Sequence, residues 1–218
     1  MCQNNRDCHR LELEAFGLHK AGKHAEAKEK YLQAFNQLRD TRPIEAAEML
    51  FMAGICAPPD EAAEYFQTVS SLSLREREFQ FAITALEHAM KCHRQVGNTD
   101  EIKEIDKRIE TIKKEMPHNL EECFTELKRQ LTSEQLQTFK NVKESDIIRY
   151  HLGLGMWIRN SWGLWAGSDL AASLGKMGCH PDRMSNRILT EFHRYLNKEP
   201  EARRGPAEAK RNKTTQAR

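Results

Sequence analysis

The residues best equipped for chemistry lie in one stretch, 151–169, which reads HLGLGMWIRNSWGLWAGSD. It contains His151, Arg159, Asn160 and Ser168, and it also holds all three tryptophans of the chain, Trp157, Trp162 and Trp165. A guanidinium presents a planar fork of donors matched to carboxylate or phosphate. An imidazole exchanges a proton near neutral pH. This set therefore describes a pocket for an anionic ligand. A plainer arrangement uses the same residues: Arg159 pairs inside the fold with a carboxylate such as Asp182, and Ser168 caps a helix. The tryptophans divide in the same way. They can form a binding surface, since Trp and Arg dominate interface hot spots, or they can fill the core of a small domain.

Helical geometry limits what the polar set can do. In a continuous helix His151, Gly155, Ile158 and Trp162 share a face, with Arg159 on its flank, while Asn160 points about 100° further round. His151 and Arg159 can converge; a His/Arg/Asn triad on one helix cannot. No Walker loop, nucleophile elbow or H-E-x-x-H sequence occurs. His88, Cys92 and His93 have ligand-like neighbours at i and i+4 but no second pair at a suitable spacing, and Cys179–His180 stands isolated. The sequence accordingly assigns no reaction, no metal and no cofactor.

The elements that must position these residues are helical. Leu11, Ala15 and Leu18 fall on one face, followed by a break at Gly22 and a second stripe of Ala27, Tyr31, Ala34 and Leu38. Residues 1–9 read as a loose polar leader. Breaks recur at Pro58-Pro59-Asp60, before Ala62, Phe66 and Val69, and at 97–100, before Ile102, Asp106 and Ile109. The matching positions Ala27, Ala62 and Ile102 are 35 and 40 residues apart, the mark of stacked helix pairs. The segment GKHAEAKEKYLQAF at 22–35 resembles the second half of a tetratricopeptide repeat, with Gly22 at the turn and Ala27, Tyr31 and Ala34 at the small and aromatic places. The resemblance covers 10–116. It implies an array with a groove for a protein or peptide partner.

Pro117 ends the array. Asn119 with Glu122 reads as a helix start, Ser133 as the cap of a short helix, and a longer helix is expected from Ser145 into the Trp-rich stretch. Ser168-Asp169 begins another, and Pro181 a last one, lined by Met184, Ile188, Phe192, Tyr195 and Leu196. Residues 118–198 resemble a bacterial domain family of unknown function with the core H-x-G-x-G-x-W-I-R-N-x-W-x-L-W. The matching residues are His151, Gly153, Gly155, Trp157, Ile158, Arg159, Asn160, Trp162, Leu164 and Trp165, then Ser168, Pro181, Asp182, Met184 and Ser185, and last His193, Arg194, Tyr195 and Leu196. This resemblance implies no activity.

The fold class expected is thus all-α: a short tetratricopeptide-like helical-repeat array (10–116) packed against a small Trp-rich C-terminal helical domain (118–198), with a disordered basic tail (199–218). Charged residues are 30% and hydrophobic residues 39% of the 218, too polar for a membrane protein. No apolar run reaches the roughly 18–20 residues of a membrane span. Six cysteines at irregular spacing, with no C-x-x-C pair and no signal-like leader, fit reduced thiols in the cytoplasm. The formal net charge is +2. Positive charge gathers after residue 200, whereas a nucleic-acid binder carries a basic face on its folded part. Nucleic acid is therefore a minor reading, through the tail alone. The leading expectation is an interaction or adaptor protein, bacterial and of an immunity- or defence-associated kind by analogy with helical-repeat families. The alternative is an enzyme or ligand sensor with an anionic-ligand pocket in the C-terminal domain.

Overall fold

A computed structural model describes residues 2–175 and 180–198, and every regular element among them is helical. The described residues form two compact units. One is 2–116 together with Asn160–Ser168; the other is Pro117–Arg159 with 169–175 and 180–198. The tail and the segment 176–179, with Cys179, lie outside the described residues. No helix among the described residues is long and apolar enough to cross a membrane.

The first unit contains six helices, α1 Cys2–Lys20, α2 His24–Leu38, α3 Pro43–Ile55, α4 Pro59–Arg75, α5 Phe79–Val96 and α6 Thr99–Glu115, each packed on its neighbours in the chain. The turns fall at the expected breaks. Gly22 takes a left-handed φ of 77° between α1 and α2, a conformation open to glycine without penalty. At the other end, Gly97 (φ 75°) closes α5, and the amide of Asn98 reaches back to the His93 carbonyl at 2.9 Å. The Asn98 side chain then starts α6 by accepting from the Glu101 amide. Ala27, Ala34, Ala46 and Ala53 are fully buried around Tyr31 and let the backbones approach. Helices α3 and α4 approach closely at Gly54: a Cβ there would lie 2.9 Å from the Phe66 ring.

Two expectations need correction in this unit. The leader is not loose: α1 begins at Cys2, because Cys8 extends the Leu11–Ala15 stripe by a turn and is itself buried. The apolar stripe of α6 is also rotated. Ile105, Ile109 and Ile112 are buried and Asp106 is exposed, so the isoleucines, spaced by four and three, set the inner face.

Asn160–Ser168, which carries two of the three tryptophans, is part of this same unit. Trp162 has no solvent exposure and Leu164 is buried. Ser161 donates its hydroxyl proton to the Glu78 carboxylate, and Gly163 turns the chain with φ 63°.

The second unit is built around α11, Pro181–Lys198, which packs on α7 (Leu120–Gln130), α8 (Ser133–Asn141), a 3-10 helix (Glu144–Tyr150) and α10 (Asp169–Gly175). Ile188, Phe192 and Leu196 line its inner face as expected, joined by Leu189, while Tyr195 is half-buried. Phe192 lies 5.6 Å from both Phe124 and Phe139, ring centre to ring centre. Asn119 caps α7: its Oδ1 accepts from the Glu122 amide at 3.0 Å, and Glu122 accepts from the His118 amide at 2.8 Å. The cap of α8 is Thr132 rather than Ser133. Thr132 and Gln135 exchange the two hydrogen bonds of a capping box, which Ser133 could share only with Leu136, an apolar residue. The long helix expected from Ser145 is broken. The 3-10 segment ends at Tyr150, residues 151–153 turn, and α9 runs only from Leu154 to Ser161. Gly153 in that turn withdraws support for a continuous helix.

Candidate functional site

Within the second unit the break before α9 brings His151 and Arg159 together, though not on one helix face. Arg159 is 5% exposed. Its Nε donates to Asp182 Oδ1 at 3.1 Å, its Nη1 to the Ser185 hydroxyl at 2.9 Å and its Nη2 to the His151 carbonyl at 3.3 Å. Ser185 in turn donates to the Asp182 carbonyl at 3.1 Å. The His151 Nε2 lies 3.7 Å from Asp182 Oδ1, and His180 Nδ1 lies 3.2 Å from Oδ2. One carboxylate thus gathers a guanidinium and two imidazoles.

The motif glycines divide between two jobs. A Cβ on Gly155 would sit 3.3 Å from Arg159 Nη1 and from the Tyr150 carbonyl oxygen. Gly155 therefore makes room for the guanidinium against the backbone. A Cβ on Gly153 would meet nothing within 4 Å, and this glycine instead borders a cavity.

That cavity, of about 410 Å³, opens between α8 and the start of α9. Phe139, Tyr150, Leu154 and Trp157 supply apolar walls, and Glu134 and Gln135 supply polar groups. Phe139 and Tyr150 meet edge to face at 4.8 Å. Pockets of this size and lining suit an apolar group oriented by a few polar contacts. In the chain segment that also supplies Tyr150 and Trp157, Ile148, Leu152 and Met156 are exposed, Leu152 by 75%.

The residues singled out from the sequence are therefore dispersed. His151 and Arg159 share the carboxylate of Asp182. Trp157 is half-buried at the cavity. Asn160, Trp162, Trp165 and Ser168 belong to the other unit: Trp162 is buried, Ser168 half-buried, and Asn160 and Trp165 exposed. The cavity wall from α8 escaped the sequence reading, because Gln135, Thr138 and Phe139 are ordinary helix residues whose place depends on tertiary packing. His88 packs against Phe51 and Phe66 at about 5 Å, and His93 Nε2 lies 3.5 Å from Gln67, so neither joins Cys92 in a cluster.

No curated protein and no solved structure matches the chain. Residues 116–196, a little over a third of the chain, match the model of a domain of unknown function, DUF6794.

Proposed function

We propose that this chain is a protein-interaction module, with tetratricopeptide-like helix pairs in 10–116 and a second contact surface in the 116–196 domain. The observation that carries this reading is the apolar cavity beside α9 with the exposed Ile148, Leu152 and Met156 next to it in the chain. A small ligand would fill the cavity and leave those three side chains in water. A peptide that inserts one apolar side chain into the cavity and sets others against the exposed Leu152 and its neighbours would use both. Glu134 at the cavity favours a partner with a basic residue beside its apolar anchor. An anionic ligand is poorly served: no Lys or Arg lines the cavity among the described residues, and Arg159 spends its donors on Asp182, Ser185 and the chain.

The test is site-specific photocrosslinking in the full chain, with the probe at Thr138 on the cavity wall and a control probe at exposed Lys103. The reading expects a discrete adduct from Thr138 that disappears in Leu152→Glu, with the circular dichroism spectrum unchanged. An adduct that persists in both Leu152→Glu and Trp157→Ala, or arises equally from Lys103, refutes it.

A further inference from the structure

His19, His24 and Cys56 converge at one end of the first three helices. His19 is in the last turn of α1, His24 opens α2, and Cys56 caps the C-terminus of α3. The α1–α2 turn is held by backbone hydrogen bonds from Ala21 to Gly17 and from Lys23 to Leu18. This sets the two imidazoles edge to face, 5.1 Å apart. The Cys56 Sγ sits 3.1 Å from His19 Nδ1. One donor atom from each residue lies within 4.8 Å of the other two.

We propose that these three side chains form a binding site for a thiophilic d10 cation, with Zn2+ as the physiological choice and a fourth position open to solvent. Zinc takes imidazole nitrogen and thiolate sulfur at about 2.0–2.3 Å in a tetrahedron, which places donors about 3.5 Å apart. The His19–Cys56 pair, at 3.1 Å, lies within a few tenths of an ångström of that spacing. His24 is exposed and free to turn its ring inward. Two nitrogens and one sulfur select zinc over magnesium and calcium, which require oxygen. The exposed side on which His24 lies leaves room for a water or a donor from a partner.

A nucleophilic cysteine–histidine pair fits less well. Cys56 is 8% exposed, and burial pushes its thiol upward, whereas a nucleophile needs a lowered thiol and access. A cation reverses that effect by coordinating the thiolate directly. The bound ion would staple the α1–α2 turn to the end of α3. Binding would release the Cys56 proton and tighten as pH rises. Sequence spacing concealed the set, because Cys56 stands far along the chain from His24 and no C-x-x-C or H-x-x-x-H pattern announces it.

The experiment is titration of the reduced full-length chain with Co2+, followed by displacement with Zn2+. The proposal expects one equivalent of cobalt, a thiolate-to-cobalt charge-transfer band, tetrahedral visible bands, and loss of all three when zinc is added. Cys56→Ser should abolish the charge-transfer band, which separates this site from the other five cysteines. His24→Gln, at an exposed position, should keep the fold and weaken binding at least tenfold. Zinc should also raise the melting temperature of the wild type and leave that of Cys56→Ser unchanged. A wild-type chain without the band, or a band that survives in Cys56→Ser, overturns the proposal.

Discussion

Asp182 Oδ1 accepts from Arg159 Nε at 3.1 Å, and the two residues differ sharply in exposure: the guanidinium side chain is 6% exposed and the carboxylate 41%. This asymmetry sets what the pair contributes. A fully buried pair broken from one side costs about 3–5 kcal/mol, but the solvent around Asp182 screens part of that. Arg159→Ala should therefore lower unfolding stability by about 1–3 kcal/mol, through the lost hydrogen bonds to Asp182, Ser185 and the His151 carbonyl and the lost packing. Arg159→Lys should recover little, because an ammonium cannot serve the carboxylate, the hydroxyl and the His151 carbonyl together. Urea unfolding of the three proteins measures this. An Arg159→Ala chain as stable as wild type, with altered partner binding, would mean that Arg159 faces a ligand and not the fold.

Gly54 and Gly17 predict opposite outcomes for the same change. Both are helical. A Cβ on Gly54 meets the Phe66 ring at 2.9 Å, while one on Gly17 meets nothing within 4 Å. Gly54→Ala should cost about 1–3 kcal/mol by forcing α3 and α4 apart or Phe66 off its rotamer. Gly17→Ala should stabilise by about 0.5–1 kcal/mol, because alanine has less backbone entropy to lose. Thermal melts of the two variants should move in opposite directions. Stabilisation of both would show that Phe66 yields without strain, and destabilisation of both would overturn the gain expected at Gly17.

The division between what was readable in the sequence and what was not follows from the range of the interactions. Turn positions are local. Gly22, Pro59 and Gly97 act through their own φ, so the starts of α2, α4 and α6 were legible. Helix register is half local: the stripe through Ile102 and Ile109 was visible, but the choice of Ile105 over Asp106 needed the neighbouring helix. The Arg159–Asp182 pairing was legible as a possibility, since both residues sit in one motif. The cavity and the His19/His24/Cys56 cluster were not legible, because each depends on helices meeting across stretches with no pattern of their own. The helix expected from Ser145 into the Trp-rich stretch gives the polar set a geometry that the chain does not adopt. A 3-10 segment closing at Tyr150 and a turn at Gly153 change which faces meet, and hydrophobic periodicity does not report either.

Gly163 and Gly167 both take left-handed φ, 63° and 73°. An L side chain there costs about 1–2 kcal/mol. The surroundings differ: a Cβ on Gly163 would lie 2.6 Å from the Gln80 amide oxygen, and one on Gly167 would meet nothing within 4 Å. Gly167→Ala should lose only the conformational cost. Gly163→Ala should lose more, and Gln80→Ala should restore the difference. The double-mutant cycle on chemical unfolding supplies the check: additive losses would show that Gln80 swings aside freely.

His88 gives the first unit a pH dependence with a definite sign. Its ring lies edge to face against Phe51 at 5.0 Å and is tilted toward Phe66 at 5.1 Å. Burial lowers its pKa, and the charge of Lys91 lowers it further against a smaller opposite effect of Glu87. The unfolded chain protonates this histidine below about 6.5, while the folded chain resists until lower pH. The unfolded state thus binds more protons in that interval, and stability rises with pH. The contribution is fully present above the unfolded value and is lost as pH falls through the folded one. Comparing unfolding midpoints at pH 7.5 and 5.0, as buffer settings on the order of one pKa unit or more to either side of 6.5, the wild type should lose more stability than His88→Phe. The phenylalanine keeps the aromatic contacts and cannot take up the proton. An equal loss in both proteins would assign the acid sensitivity to other groups and leave His88 as packing alone.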